Sequence, residues 1–534
     1  MTQSQESIDA IQQGYTFTSP SIQLGVLVAD GEPRPGVPVN LALSMLNRHG
    51  LVAGATGTGK TKTLQLMAEQ ISKAGVPVFA ADIKGDLTGI ALPGEASEKL
   101  LARTAAIGQN WAPVGCPTEF YALGGQGTGV PLRATTLSFG PLLLSKVLEL
   151  NETQESSLSL VFTYADRAGL PLLDLKDLRE LLMFLTSDEG KGELKAIGGL
   201  SSATAGVILR EISALEGQGG DVFFGEPEFD TADLLRVTAD GQGVLSLLEL
   251  PNVQDRPQLF STFLMWLLAD LYHDLPEAGD LDKPKLVFFF DEAHLLFDGA
   301  SKAFLDQIEQ TVRLVRSKGV GVFFVTQQPT DVPDGVLAQL GSRVQHQLRA
   351  HTPNDAKALK QTVNTYPKSE YDLAEVLQSL GIGEAIVTVL NPNGAPTPVA
   401  WTRMLAPTSS MAPMNPAWLT QGVAQSAMTA KYGRSIDRES AYEMLTAKAA
   451  AGAEAAAREA EYAARRSQEG ARRDDGDARD ADRPATAPRG RTTRAPRPEP
   501  SMIEQLSKNT MVRQMARAAV AQATRSIFGT LRRR

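Results

Sequence analysis

Gly54-Ala55-Thr56-Gly57-Thr58-Gly59-Lys60-Thr61 follows directly on the apolar run Leu51-Val52-Ala53. The octet fills every fixed position of Gly-x-x-x-x-Gly-Lys-Ser/Thr. In that loop the glycines let backbone N–H groups converge on phosphate oxygens, because no side chains stand in the way. Lys60 supplies a cation for the terminal phosphates and Thr61 a hydroxyl for Mg²⁺. The helix that must follow is written in Leu64, Met67, Ala68 and Ile71, with Gly75 as its stop and Pro77 beyond. Gly54, Ala55, Thr56, Gly57, Thr58, Gly59, Lys60, Thr61 and Lys62 are therefore the expected contacts to a nucleoside triphosphate with Mg²⁺. The dinucleotide motif Gly-x-Gly-x-x-Gly does not fit, since Gly57-x-Gly59 runs on into Lys-Thr-Lys.

Working outward, short β-rich runs alternate with helical stretches from Leu43 to about Ala400, the pattern of an α/β fold with a mainly parallel sheet flanked by helices. The expected strands are Leu51–Ala53, Val76–Ile83, Gly243–Leu250, Lys285–Phe290, Val320–Thr326 and Ala385–Leu390. Residues 1–42 read as a short β-rich segment, with a strand at Ile22–Ala29 and a turn-forming Pro/Gly cluster at Gly31–Pro38. Residues 43–400 form the nucleotide core, carrying a helical insertion around 130–240 that includes Leu172–Leu185 and Ala205–Leu215. A linker spans 401–440, marked by Pro407, Pro413 and Pro416, and an Ala/Glu/Arg-rich helix spans 441–468. The Arg/Asp/Pro-rich stretch 469–500 has almost nothing to bury and reads as disordered. Residues 501–534 read as a basic amphipathic helix, with seven Lys/Arg against Glu504 alone.

At 534 residues and 43% apolar content, the chain can bury one large or two ordinary cores. Its single cysteine, Cys116, excludes an intramolecular disulfide and any multi-cysteine metal site, and five histidines argue against a histidine-rich centre. The N-terminus lacks the basic start and apolar stretch of a secretory signal, and runs such as Phe263–Ala269 fall short of a bilayer span. The expected location is cytoplasmic. The net charge of −9 is unevenly spread: residues 441–534 hold 19 Lys/Arg against 12 Asp/Glu, leaving 33 against 49 in the rest. An acidic body argues against a broad nucleic-acid-binding outer surface, whereas a positive stripe inside a ring would not alter the total.

The other half of a nucleotide hydrolase is an apolar strand ending in a carboxylate that holds Mg²⁺, and Leu286-Val287-Phe288-Phe289-Phe290-Asp291-Glu292 supplies it. Asp291 is the expected metal partner with Thr61, and Glu292 the group that polarises the attacking water. Asp291-Glu292-Ala293-His294 also spells a helicase signature, but the arginine-rich motif that accompanies it is not found. Gln327, ending the strand Val320–Thr326, is placed to sense the γ-phosphate or hold the lytic water. The helix face Phe304, Ile308, Val312, Val315 carries Arg313 and Arg316 in its last turns. Basic residues there either answer the helix dipole alone or supply an arginine finger to a neighbouring subunit's nucleotide, a role that suits Arg316 ahead of Arg313, Arg343 and Arg349. Asp82 either tunes the metal or forms a turn with Gly85.

These motifs resemble the HerA/FtsK superfamily of P-loop ATPases, and more narrowly the bacterial HerA-like helicase C-terminal-domain proteins. The resemblance rests on Asn47–Gly50, Ala81–Leu87, Leu150–Glu155, Lys283–Phe297 and Thr326–Pro329, and spans roughly residues 20 to 400. It implies a RecA-like sheet with an extra strand between the loop strand and the Asp291 strand. It further implies a homo-oligomeric, usually hexameric ring with arginines acting in trans, and ATP hydrolysis that pumps or unwinds DNA. The N-terminal β-barrel of full HerA proteins is not evident in the first 42 residues, and the basic tail after residue 440 lies outside the extent of the resemblance. Two other functions fit the residues. One is an ATPase serving a protein or membrane-associated assembly, its basic terminal helix lying on anionic lipid or docking on a partner protein. The other is a slow nucleotide-dependent switch, against which Glu292 argues.

Overall fold

The computed structural model describes residues 3–195, 198–217, 219–279, 281–298 and 302–477. The described residues divide into two compact units, one within 3–155 and 210–437 and the other within 156–209 and 438–477.

The first unit is built on twelve strands: β1 (Ser21–Ala29), β2 (Glu32–Ala42), β3 (Gly50–Ala53), β4 (Val78–Asp82), β5 (Thr118–Leu123), β6 (Val130–Leu132), β7 (Leu245–Glu249), β8 (Leu286–Phe290), β9 (Val320–Thr326), β10 (Ser342–Gln345), β11 (Glu384–Thr388) and β12 (Ala400–Met404). They form one sheet in the order β2-β1-β12-β11-β10-β3-β9-β8-β4-β7-β5-β6. From β10 to β6 every pairing is parallel, and from β10 out to β2 every pairing is antiparallel. β9 therefore lies between β3 and β8, the extra strand that the family resemblance implies.

The central strands β3, β4, β7, β8 and β9 are buried at every position, which is why they read as mostly apolar runs rather than alternating ones. Phenylalanines stack from strand to strand, Phe79 on Phe288 at 4.9 Å and Phe289 on Phe323 at 5.3 Å between ring centroids. Leu64, Met67, Ala68 and Ile71 of the helix Lys60–Lys73 are buried, the face expected of it.

The Pro/Gly cluster expected as a turn at Gly31–Pro38 is instead most of β2, pairing along β1 from Ala29↔Glu32 to Ser21↔Ala42. β2 ends the sheet, and an edge strand tolerates Pro33, Pro35 and Pro38 because an imide nitrogen facing outward costs no ladder bond. A helix not foreseen, Gln5–Gly14, precedes β1, capped by the Ser4 side chain. Between β6 and β7 lie the helices Thr136–Val147, Glu152–Ala168, Leu175–Thr186 and Ser202–Gly217. The stretch 401–440, expected as a linker, holds most of β12 and two helices, Pro416–Gln425 and Ala427–Tyr432.

In the second unit the helix Leu175–Thr186 buries Leu178, Leu181, Leu182 and Leu185 and opens on a capping box made by Asp174 and Asp177. The long helix Ala441–Asp477 starts beside it: Asp177 accepts from the Ser440 hydroxyl and from the Tyr442 N–H at 2.9 Å. The helix continues past the expected end at residue 468. The rest of the stretch expected to be disordered, and the basic helix 501–534, lie outside the described residues. No helix among the described residues is long and apolar enough to cross a membrane.

Candidate active site

Because β3, β9, β8, β4 and β7 run parallel, their C-terminal ends share one edge of the sheet. That edge gathers the glycine loop after β3, Gln327 after β9, Asp291 and Glu292 after β8, Asp82 ending β4 and Glu249 ending β7. Residues far apart in the chain meet there, where ligands of open α/β sheets bind.

The loop Gly54–Gly59 is fastened at several points before any ligand is considered. Gly54 N–H donates to Thr326 O at 3.2 Å, Ala55 N–H to Gln347 O at 2.8 Å, and Gly383 N–H to Thr58 O at 3.0 Å. Gly54 has φ 156°, and a Cβ there would stand 2.5 Å from the His346 Cβ, so only glycine fits. His346, fully buried, spans the loop from behind: its Nδ1 lies 2.8 Å from Glu384 O and its Nε2 2.9 Å from the Thr63 hydroxyl. A carbonyl only accepts, so Nδ1 carries the hydrogen and Nε2 accepts from Thr63. Burial pulls the imidazole down to about 4, which keeps it neutral.

Lys60, also buried, donates to Gly54 O at 2.7 Å and Ala55 O at 3.3 Å. Burial pulls its ammonium down, opposed by the charges of Glu292 and Asp291. Lys62 donates to Met411 O at 2.6 Å, so its side chain is turned away from the loop. Asp291 is 3% exposed; Oδ1 accepts from the Glu292 N–H at 2.9 Å, and Oδ2 has no partner. Burial first, then the Glu292 carboxylate, push Asp291 up to about 7. Two carboxylates cannot both stay charged cheaply in that position without a cation.

Glu292 has φ 45°, in the left-handed region where a side chain with Cβ costs about 1–2 kcal/mol. The bend turns its carboxylate onto Lys84, which pairs with Oε1, while Oε2 is buried 3.4 Å from His294 Nδ1. Burial pushes this carboxyl up, but the Lys84 hydrogen bond and charge, helped by His294 and Lys60, bring it below its ordinary value. Lys84 stands there because of Asp82, whose two oxygens accept the amides of Lys84, Gly85, Asp86 and Leu87 at 2.7 to 3.3 Å. Of the two roles read for Asp82, the turn-forming one is what its contacts show.

Gln327 is exposed at the end of β9, on the same edge. Arg316 is not on that edge. It is exposed in the turn Arg316–Lys318 that precedes β9, and the seven residues of β9 separate it from the phosphate-loop end by about 23 Å. Arg343 is engaged within its own subunit by the Thr365 hydroxyl at 2.5 Å, and Arg349 donates to Thr56 O at 3.3 Å, on its own loop. Sequence reading passed over Lys84, His346 and Glu249. Glu249 is 7% exposed with Oε1 unpartnered, and burial, then Asp82 and Asp86, push it up to about 9. The signal for Glu249 was its place ending an apolar strand, as Asp291 follows one; His346 left none.

The family described as Helicase HerA-like C-terminal matches residues 28–534. That match runs through the segment after residue 440, which the sequence reading had placed outside the resemblance. The chain is 20% identical over 376 residues to the DNA double-strand break repair helicase HerA of Sulfolobus acidocaldarius, covering 70% of this chain and 67% of that protein. It is 22% identical over 377 residues to the protein of the same name from Saccharolobus solfataricus, covering 67% and 66%. It thus spans about two thirds of the length of these relatives. Among solved structures, the plasmid coupling protein TrwB in complex with an ATP analogue, ADPNP, shares the fold with TM-score 0.51 at 16% identity, covering 77% of this chain and 95% of that one. TrwB in complex with ADP and Mg²⁺ aligns with TM-score 0.50 at 16% identity, covering 76% and 93%. With the family match covering nearly the whole chain and the sheet order in agreement, this protein belongs to the Helicase HerA-like C-terminal family, as a P-loop ATPase of the HerA/FtsK type.

Proposed function

We propose that this protein hydrolyses ATP with Mg²⁺ at the Lys60–Asp291 edge, and that it does so as a homo-oligomeric ring, a hexamer, moving DNA. One observation carries the chemistry: Asp291 Oδ2 is buried and unpartnered, beside Glu292 and on the edge that also presents Lys60. Buried polar atoms left without partners mark a place where a cation or water belongs. Among the described residues no group of three or more His, Cys, Asp or Glu is arranged to hold a metal. That suits Mg²⁺, which takes one or two protein oxygens and fills its octahedron with phosphate and water.

In this reading the amides of the Gly54–Lys62 stretch and the Lys60 ammonium hold the phosphates, and Thr61 and Asp291 hold the ion. The ion supplies charge neutralisation for the transferring phosphoryl group when bound. Glu292, kept ionised by Lys84, takes the proton of the attacking water, and Gln327 orients that water. Arg316, which cannot reach its own phosphate loop, serves a neighbour's. DNA as the substrate is supported by the names of the relatives and by a basic segment after residue 440, inside the family match.

The test is Mg²⁺-dependent ATP turnover at low salt, with and without duplex or single-stranded DNA. Turnover stimulated by DNA and abolished in Lys60→Ala is expected. Turnover that persists in Lys60→Ala would remove the site, and turnover indifferent to either form of DNA would remove the DNA motor.

A further inference from the structure

The phosphate loop is flanked on one side by β9 and β8, with Asp291 and Glu292, and on the other by β10 and β11, the side those carboxylates leave open to the nucleoside of a bound nucleotide. The turn Gly381-Ile382-Gly383, just before β11, stands there. Gly383 N–H holds Thr58 O, and a Cβ at Gly59 would come within 3.4 Å of the Gly383 Cα. Ile382 at the tip of this turn is 76% exposed, the most exposed of the large apolar side chains among the described residues.

Everything around that side chain is tied down. Arg103 donates to Ile382 O at 3.4 Å, to Gly383 O at 3.0 Å and to Met404 O at 3.2 Å. The Gly381 N–H donates to Glu384 Oε2 at 3.0 Å, and Glu384 is itself fixed by Arg403 at 2.6 Å and by the Trp401 indole N–H at 3.2 Å. Gly383 has φ 72°, and a Cβ there would lie 2.5 Å from the Arg103 guanidinium, so the backbone has one arrangement. An aliphatic side chain carried on a fixed backbone turn beside a phosphate loop needs no reordering of the main chain on binding and gains by being covered.

We propose that Ile382 is the platform on which the base of the bound nucleotide lies, the Arg103-clamped turn setting its distance from the phosphates. This rests on the phosphate-loop reading above. An aliphatic side chain neither donates nor accepts a hydrogen bond, so its contact is to the flat face of the base rather than to its edge.

Binding of ATP and of inorganic tripolyphosphate, which has the same phosphates and no base, tests it by calorimetry on the full chain with Ile382→Ala, Ile382→Asp and Ile382→Phe. The expected result is an affinity for ATP lowered about tenfold in the Ala variant and more in the Asp variant. Ile382→Phe should retain or tighten ATP binding, and tripolyphosphate should bind the parent, Ala and Phe forms alike. Ile382→Ala and Ile382→Asp binding ATP as the parent protein does would overturn the assignment. In Ile382→Ala a loss shared equally by both ligands would also overturn it, since the loop rather than the base would have been disturbed. A parent protein that binds neither ligand would instead sink the phosphate-loop reading itself.

Discussion

At Glu292 a strained backbone and a paired lysine act together: φ 45° aims the carboxylate at Lys84, and Lys84 keeps it ionised against its own burial. The ordinary outcome for a carboxyl so enclosed is protonation, as the neighbouring Asp291, up at about 7, illustrates. If Glu292 activates water, removing the Lys84 cation should raise its pKa, so a higher pH is needed to ionise it. Lys84→Met is therefore expected to shift the acid limb of the pH–kcat profile upward while leaving the affinity for ATP within about twofold. An unmoved limb would show that Lys84 serves only the fold of its turn. Asp291 and Glu292 were legible in the sequence because two acids ending a five-residue apolar strand have few other uses. Lys84 was not, because nothing in Ile83-Lys84-Gly85 tells which carboxylate the turn will deliver it to.

Among the elements, the phosphate-loop helix is anchored from outside by the segment that follows β12. Glu69, on that helix and 6% exposed, accepts from Thr408 N–H at 2.8 Å, Thr408 Oγ1 at 2.9 Å, Ser409 N–H at 2.9 Å and the Ser409 hydroxyl. Gln65 reaches Ser410 O at 2.8 Å and Lys62 reaches Met411 O at 2.6 Å, so one face of the helix is strapped along two turns. Glu69→Ala strands those donors in a buried place and should cost about 1–3 kcal/mol in chemical denaturation. It should also weaken ATP binding, since the strap meets the helix at Lys62. A stability unchanged within about 0.5 kcal/mol would show that the strap detaches freely. The strands foreseen from the sequence, β4, β7, β8 and β9 among them, are those whose apolar runs are long. β10, Ser-Arg-Val-Gln, has a single apolar residue and is a strand because β3 and β11 pair with it from both sides. Proline-bearing β2 escaped for the related reason that its place at the edge is set by the sheet.

For the whole molecule, the separation of Arg316 from its own phosphate loop along the length of β9 makes assembly testable by mixing. Arg316→Ala is expected to bind ATP normally and to turn it over at least tenfold more slowly. Mixed with the inactive Lys60→Ala form, it should recover part of the lost activity, because intact phosphate loops then face intact arginines. No recovery in mixed particles shown by light scattering to be oligomeric would move the finger to another residue. The sequence by itself determined the α/β class, the phosphate loop and the Asp291-Glu292 pair, since each is written in consecutive residues whose local physics is complete: glycines that free amides, a run of apolar side chains that demands burial on both faces. Only the tertiary structure decided that Lys84 holds Glu292, that His346 and the Gly381–Gly383 turn brace the loop, and that Arg316 is turned away from it. Those facts depend on strand order and register, which bring together side chains hundreds of residues apart, and local sequence carries no record of which strand will lie beside which.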